Sequence, residues 1–145
     1  MPENNPHFLD TSIWKYALLK RGKAEKIESA QALIDTQPAI VSTQVVDEVA
    51  TELLKNKKLG EEAVRNFIET VFNNHRVVEL NKEGYLMAAD FRRDYALDLR
   101  DSLIIAAAFF GGARMIYSDA LKPGVIYREV LHTINPFPKP GRPRK

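Results

Sequence analysis

Residues 103–110 read "LIIAAAFF", a run with no polar position over roughly two helical turns. A helix that is apolar all round has to be covered on most of its sides. Gly111 and Gly112 follow it and mark a C-terminal helix end. The head of the run carries Asp98 and Asp101. A carboxylate drawn toward an apolar interior is costly unless it is paired, hydrogen-bonded or bound to a metal. The run therefore requires a layered fold in which a buried helix presents an acid at one end.

The remaining segments supply the layers. "HFLDTS" reads as a short buried strand running into a helix cap, and "SIWKYALLKRG" as a helix ending at Gly22. "AEKIESAQALID" is a second helix, and "PAIVST" a short β-branched strand. "QVVDEVATELLKNK" places Val45, Val49 and Leu53 on one stripe, and "GEEAVRNFIETVFNN" is read with Val64, Ile68, Val71 and Phe72 inward. "RVVEL" is a strand, "NKEGYLMAADFRRDYA" a helix with an Asn cap, and "ARMIYS" a strand. "HTINPF" reads as a last edge strand stopped by Pro136. Short apolar strands without period-two alternation, separated by helices, predict an α/β fold. The expected form is a three-layer α/β/α sandwich with a mainly parallel central sheet. One domain is expected over residues 1–137, followed by a basic, Pro-rich tail, 138–145, expected to be disordered.

The 145 residues include no cysteine, which excludes disulfide scaffolds, cysteine-zinc sites and thiol nucleophiles. The net charge of +2 is carried by the tail: without Lys139, Arg142, Arg144 and Lys145, 17 basic and 19 acidic residues leave a body of −2. Such a body does not coat nucleic acid by bulk charge. No run reaches the roughly 18 apolar residues of a membrane span, and "MPENNPHFLD" has no basic segment followed by an apolar one. A cytoplasmic protein without membrane contact is expected.

In open parallel sheets, sites form beyond the C-terminal ends of the strands. Asp10 ends the first strand, and Asp119 follows "ARMIYS". Glu48 lies early in the helix after "PAIVST", and Asp101 in the first turn of the apolar helix. Each has a plainer reading. Asp10 precedes a Thr-Ser cap, Glu48 belongs to an acidic face, Asp98 and Asp101 have N-cap and N3 spacing, and Asp119 enters a turn. Their shared position at one sheet edge favours a common site. Arg100, beside Asp101, is expected to point elsewhere. Carboxylates without Cys or His form a hard-ligand site suited to Mg²⁺ or Mn²⁺. His7, His75 and His132 lack metal-ligand spacing, and there is no nucleophile-elbow serine or phosphate-binding glycine loop.

The segments "FLDTS", "STQVVDEV", "LRDSLIIAAAFFGGARMIYSDAL" and "NPF" together resemble the PIN-domain family, especially the bacterial VapC-type toxins, over residues 7–137. The resemblance implies a parallel sheet between helices, an acidic pocket holding Mg²⁺ or Mn²⁺, and cleavage of RNA phosphodiesters. It carries the family's acids onto Asp10, Glu48 and Asp101, and its small hydroxyl onto Ser12. The family's Ser-Glu-Asp run is here Ser118-Asp119-Ala120, so Asp119 stands at the glutamate and Ala120 at the fourth acid. The expectation is that Asp119 serves in the pocket; if the position is empty, Asp98 partly compensates. The resemblance also implies a small antitoxin partner, with Trp14, Tyr16 and Leu18 as candidate contacts, and a homodimer.

Other classes fit less well. A PIN fold that binds RNA or protein without cutting is the main alternative. A response-regulator receiver needs an acidic pair after an early strand and a lysine after a late one. Here Asp10 stands alone and Lys122 lies in a turn. DNA binding through "PGRPRK" would rest on one Gly-Arg-Pro copy on a neutral body.

Overall fold

The structure, a computed structural model, describes residues 5–137; the basic tail and its expected disorder lie outside the described residues. The chain runs β1 (His7–Leu9), α1 (Thr11–Leu19), α2 (Ala24–Asp35), β2 (Ile40–Ser42), α3 (Thr43–Lys55) and α4 (Gly60–Asn74). It continues with β3 (Arg76–Val78), α5 (Lys82–Tyr95), α6 (Leu99–Phe110), β4 (Met115–Tyr117), β5 (Ile126–Tyr127) and β6 (Leu131–Ile134). The six-stranded sheet has the order β3-β2-β1-β4-β6-β5, parallel except for β5, with helices on both sides. This is the expected α/β architecture.

The topology makes one crevice. From β1 the chain steps outward to β2 and β3, then returns to lay β4 on the other flank of β1, with Phe8 opposite Ile40 on one side and Ile116 on the other. The direction of winding reverses between β1 and β4. A crevice beyond the strand C-termini is expected at such a switch point.

The apolar helix α6 behaves as its sequence demands. Ser102 and Ile104–Ala108 are buried, while the end residues Leu99 and Phe110 are 59% and 36% exposed. Its end is tight against the sheet: a Cβ on Gly111 would lie 3.0 Å from both Ile40 and Val78. Gly112 follows at φ +85°, a left-handed conformation that favours glycine. At the other end Asp98 accepts the Asp101 amide at 2.8 Å, an N-cap. Asn81 caps α5 in the same way through the Gly84 amide, as expected.

Two expectations about packing are corrected. In α4 the inward residues are Phe67 and Val71, with Val64 partly buried, whereas Ile68 and Phe72 are 38% and 54% exposed. Both stripes have helical spacing, and Trp14 decides between them by taking Phe67 edge-on at 5.4 Å. The segment "HTINPF" is not an edge strand: β6 lies between β4 and the two-residue β5, which forms the edge by antiparallel pairing with β6. β5 is too short to show a periodic signal. Among the described residues no helix is long and apolar enough to cross a membrane.

Two histidines give the fold a pH dependence. His7 is buried, and His75 accepts the Ala39 amide on Nδ1 at 2.9 Å and stands edge-on to Trp14. Burial pushes both below their ordinary value of 6.5, with the charge of His7 adding to the effect at His75. A histidine whose folded pKa is depressed binds fewer protons folded than unfolded, so stability falls as pH drops below 6.5 toward the lowered value. Thermal unfolding should therefore shift downward between about pH 7.5 and 5.5. His75→Asn, which keeps an acceptor near Nδ1, should flatten part of that slope. A melting temperature independent of pH across this window would refute the assignment.

Candidate active site

Three carboxylates meet at the switch point because three elements end there. Asp10 leaves β1 and caps α1: its Oδ1 accepts the Thr11 amide at 2.7 Å. Its Oδ2 accepts the Ser118 hydroxyl, just past β4, at 2.7 Å. Ser118 in turn accepts the Ala120 and Leu121 amides at 3.0 and 3.1 Å, which locks the turn after β4. Asp10 is fully buried, so its orientation is set by these partners.

Glu48 projects from the second turn of α3, whose start is fixed by the Ser42 cap. Its Oε1 accepts the Thr11 hydroxyl at 2.6 Å, and its Oε2 accepts Gln44 Nε2 at 3.3 Å. Asp101 stands in the first turn of α6.

The cation joining them is Arg100. Its Nη2 donates to Asp10 at 3.0 Å and to Glu48 Oε1 at 2.7 Å. Its Nε donates to Glu48 Oε2 at 3.2 Å, and its Nη1 to Asp101 at 3.2 Å. This overturns the expectation that Arg100 points elsewhere. The side chain is long enough to turn back over the start of α6 and cross to residues 90 and 52 positions away in sequence.

The electrostatics follow from this core. Burial would raise the Glu48 carboxyl, but the hydrogen bonds from Arg100 and Thr11 outweigh it and hold it below its ordinary value. Asp101 moves the other way: burial raises it, and the neighbouring Asp98 and Asp10 charges add to burial against the pull of Arg100. Burial acts to lower Arg100, and the bonds to Glu48 and Asp10 reverse that, leaving the guanidinium raised and firmly charged.

Asp119 shares the cavity but not the ion pair. A cavity of about 460 Å³ is lined by Asp10, Glu48, Arg100, Lys15, Asp119 and Ala120, among others. The Asp119 carboxylate accepts the Tyr16 hydroxyl at 2.7 Å, and its amide donates to Ser12 Oγ at 3.1 Å. The bond to Asp119 is the main cause that pushes the Tyr16 hydroxyl up to about 12. Ser12 thus braces Asp119 instead of Asp10; the hydroxyl on Asp10 belongs to Ser118. Asp98 is exposed and engaged as the cap of α6, which is its plainer reading. Arg100, Thr11, Ser118 and Gln44 carry no spacing signal that marks them as partners of the acids. All four lie inside the segments that carry the family resemblance.

The donor set is all oxygen and converges on one positive charge, which is the chemistry of a hard-cation site. The guanidinium stands where such an ion would be neutralised. As the side chains stand, no group of three or more His, Cys, Asp or Glu among the described residues is arranged to hold a metal ion. The ligand types fit a divalent cation, and their present spacing fits arginine.

The PIN domain family model matches residues 7–120, and the chain belongs to that family. No curated protein matches the sequence. Solved structures share the fold, three of them as follows. A toxin-antitoxin complex from Klebsiella pneumoniae aligns at TM-score 0.66 and 16% identity, over 90% of this chain and 98% of that one. VapBC2 from Rickettsia felis, bound to a DNA fragment from its promoter, aligns at 0.64 and 17%, over 89% and 98%. The sarcin-ricin-loop-cleaving toxin VapC20 of Mycobacterium tuberculosis aligns at 0.59 and 21%, over 76% and 86%.

Proposed function

We propose that this protein is an endoribonuclease dependent on Mg²⁺ or Mn²⁺ and the toxin of a toxin–antitoxin pair, acting in the cytoplasm. The observation that carries the reading is the convergence of Asp10, Glu48 and Asp101 on a single cation at the switch point of a PIN fold. The toxin–antitoxin structures that share the fold support the biological setting.

In this reading Asp10, Glu48 and Asp101 hold the ion, and Asp119 supports it from the cavity wall. Bound there, the ion would polarise a phosphodiester oxygen and make a water nucleophilic at neutral pH. The chain's own groups do the positioning. Ser118 and the Thr11 amide fix both oxygens of Asp10, so that the carboxylate needs no reordering when substrate arrives. Thr11 Oγ1 steers Glu48, which is held ionised and accepts hydrogen bonds at the open side of the cavity. Lys15 on the same wall offsets the charge of the approaching phosphate.

A second cavity, of about 450 Å³, suits a partner. Trp14, Leu18, Ile34, Leu53, Leu59 and Phe67 line it, and the buried Trp14 Nε1 finds no acceptor among the described residues. An apolar antitoxin segment laid along these side chains would complete it. The partner set is then the RNA, this antitoxin and a second copy of the chain.

The alternative, a PIN fold that binds without cutting, is favoured by one observation: Arg100 fills the acid cluster. Incubation of the purified protein with RNA separates the two readings. Cleavage is expected with Mg²⁺ or Mn²⁺ and should stop with EDTA. RNA left intact at every concentration of either ion would establish the non-cutting alternative.

A further inference from the structure

We infer that Arg100 is a built-in exchangeable cation: its guanidinium occupies the place of the divalent ion and has to leave before that ion can bind. This rests on the metal-dependent reading above and concerns how the site is held when no metal is bound.

The observations are geometric. Arg100 bonds to all three acids, and among the described residues no other Lys or Arg forms an ion pair with any of them. A planar guanidinium spreads its donors over several ångströms and reaches oxygens at hydrogen-bond distances of 2.7–3.2 Å here. A divalent cation instead draws oxygens to about 2.0–2.6 Å around one point. One set of carboxylates cannot satisfy both, which accounts for the absence of a chelating group as the side chains stand. The occupants also compete by charge. Three carboxylates crowd one guanidinium, and a divalent ion offsets their mutual repulsion further than a single positive charge does.

The arginine is placed to move. Its side chain is 34% exposed and faces the open cavity, while Asp10 opposite it is fully buried and held by Thr11 and Ser118. A rotation about the Arg100 side chain opens the cluster without disturbing β1, β4 or the cap of α6. Arg100 thus keeps the acids from repelling one another in the metal-free protein, at the expense of metal affinity.

Because the competent state is only the fraction with Arg100 displaced, the apparent dissociation constant is raised by the inverse of that fraction. A minor open state of about 1–10% corresponds to a ten- to hundredfold effect. The test is titration of EDTA-stripped protein with Mn²⁺ by calorimetry, together with thermal melts with and without the ion. Arg100→Gln should bind Mn²⁺ about ten- to a hundredfold more tightly than wild type. It should melt lower than wild type without metal and gain more from saturating Mn²⁺. Arg100→Lys, which keeps one positive charge but loses the planar fork, should fall between and carries the comparison if Arg100→Gln does not fold without metal. Equal or weaker Mn²⁺ binding in the folded variants would overturn the exchange while leaving metal-dependent cleavage standing. No Mn²⁺ binding to wild type or to either variant would overturn both.

Discussion

The Asp10→Asn variant should cleave RNA about a thousandfold more slowly than wild type, or worse, at saturating Mn²⁺. A metal ion contributes several kcal/mol of charge stabilisation in such reactions, and each 1.4 kcal/mol is about tenfold in rate. Asp10 is the acid whose loss the site can least absorb, since it is fully buried, bridges β1 to β4 through Ser118, and meets Arg100 at 3.0 Å. The amide oxygen of asparagine can still cap α1, so the fold should survive and the lesion be chemical. Asp119→Asn provides the contrast. Its carboxylate is engaged by Tyr16 and makes no bond to Arg100, so roughly a tenfold rise in metal requirement is expected, of the size seen for supporting groups. Cleavage at near wild-type rate by a folded Asp10→Asn protein would remove Asp10 from the mechanism. An Asp119→Asn defect as deep as that of Asp10→Asn would make Asp119 a direct metal ligand.

The largest effect on stability is expected at Trp14. The side chain is 1% exposed and packs edge-on to Phe67 at 5.4 Å and to His75 at 5.3 Å, tying α1 to α4 and to the start of β3. Trp14→Ala should cost about 3–5 kcal/mol, since a buried aromatic leaves a cavity that rigid neighbours do not fill. That is a large share of the roughly 5–15 kcal/mol that holds a domain folded. Trp14→Phe should cost well under half as much: it keeps an aromatic contact and removes an indole N–H that has no acceptor among the described residues. Urea denaturation of the three proteins measures both. Equal losses in the two variants would mean that the N–H is satisfied in solution and that the ring's outer edge matters less than its polar atom. A core role for Trp14 also narrows the expected antitoxin contact: Tyr16 and Leu18 stay partly exposed, whereas Trp14 is 1% exposed.

Much of this molecule was legible in its residues. The all-apolar 103–110 run required a helix buried on most sides, and short unalternating strands between helices required a parallel sheet. The strand-end rule placed Asp10, Glu48, Asp101 and Asp119 near one edge, and three of them meet at Arg100 while Asp119 lines the same cavity. These inferences rest on local quantities, hydrophobic period and chain direction, that sequence carries directly. What lay beyond it depended on reach and on competition between equally periodic choices. Helix α4 has two stripes of helical spacing, and only the presence of Trp14 opposite Phe67 selected one. Ser12 and Ser118 are both small hydroxyls within two residues of an acid in sequence, and the β1–β4 register assigned Ser118 to Asp10 and left Ser12 to brace Asp119. Adjacent helical residues diverge, which by itself turns Arg100 away from Asp101. That rule holds for Cβ directions, but an arginine at a helix start extends far past its own Cβ, and the unpaired charge of a fully buried Asp10 drew it across the sheet edge.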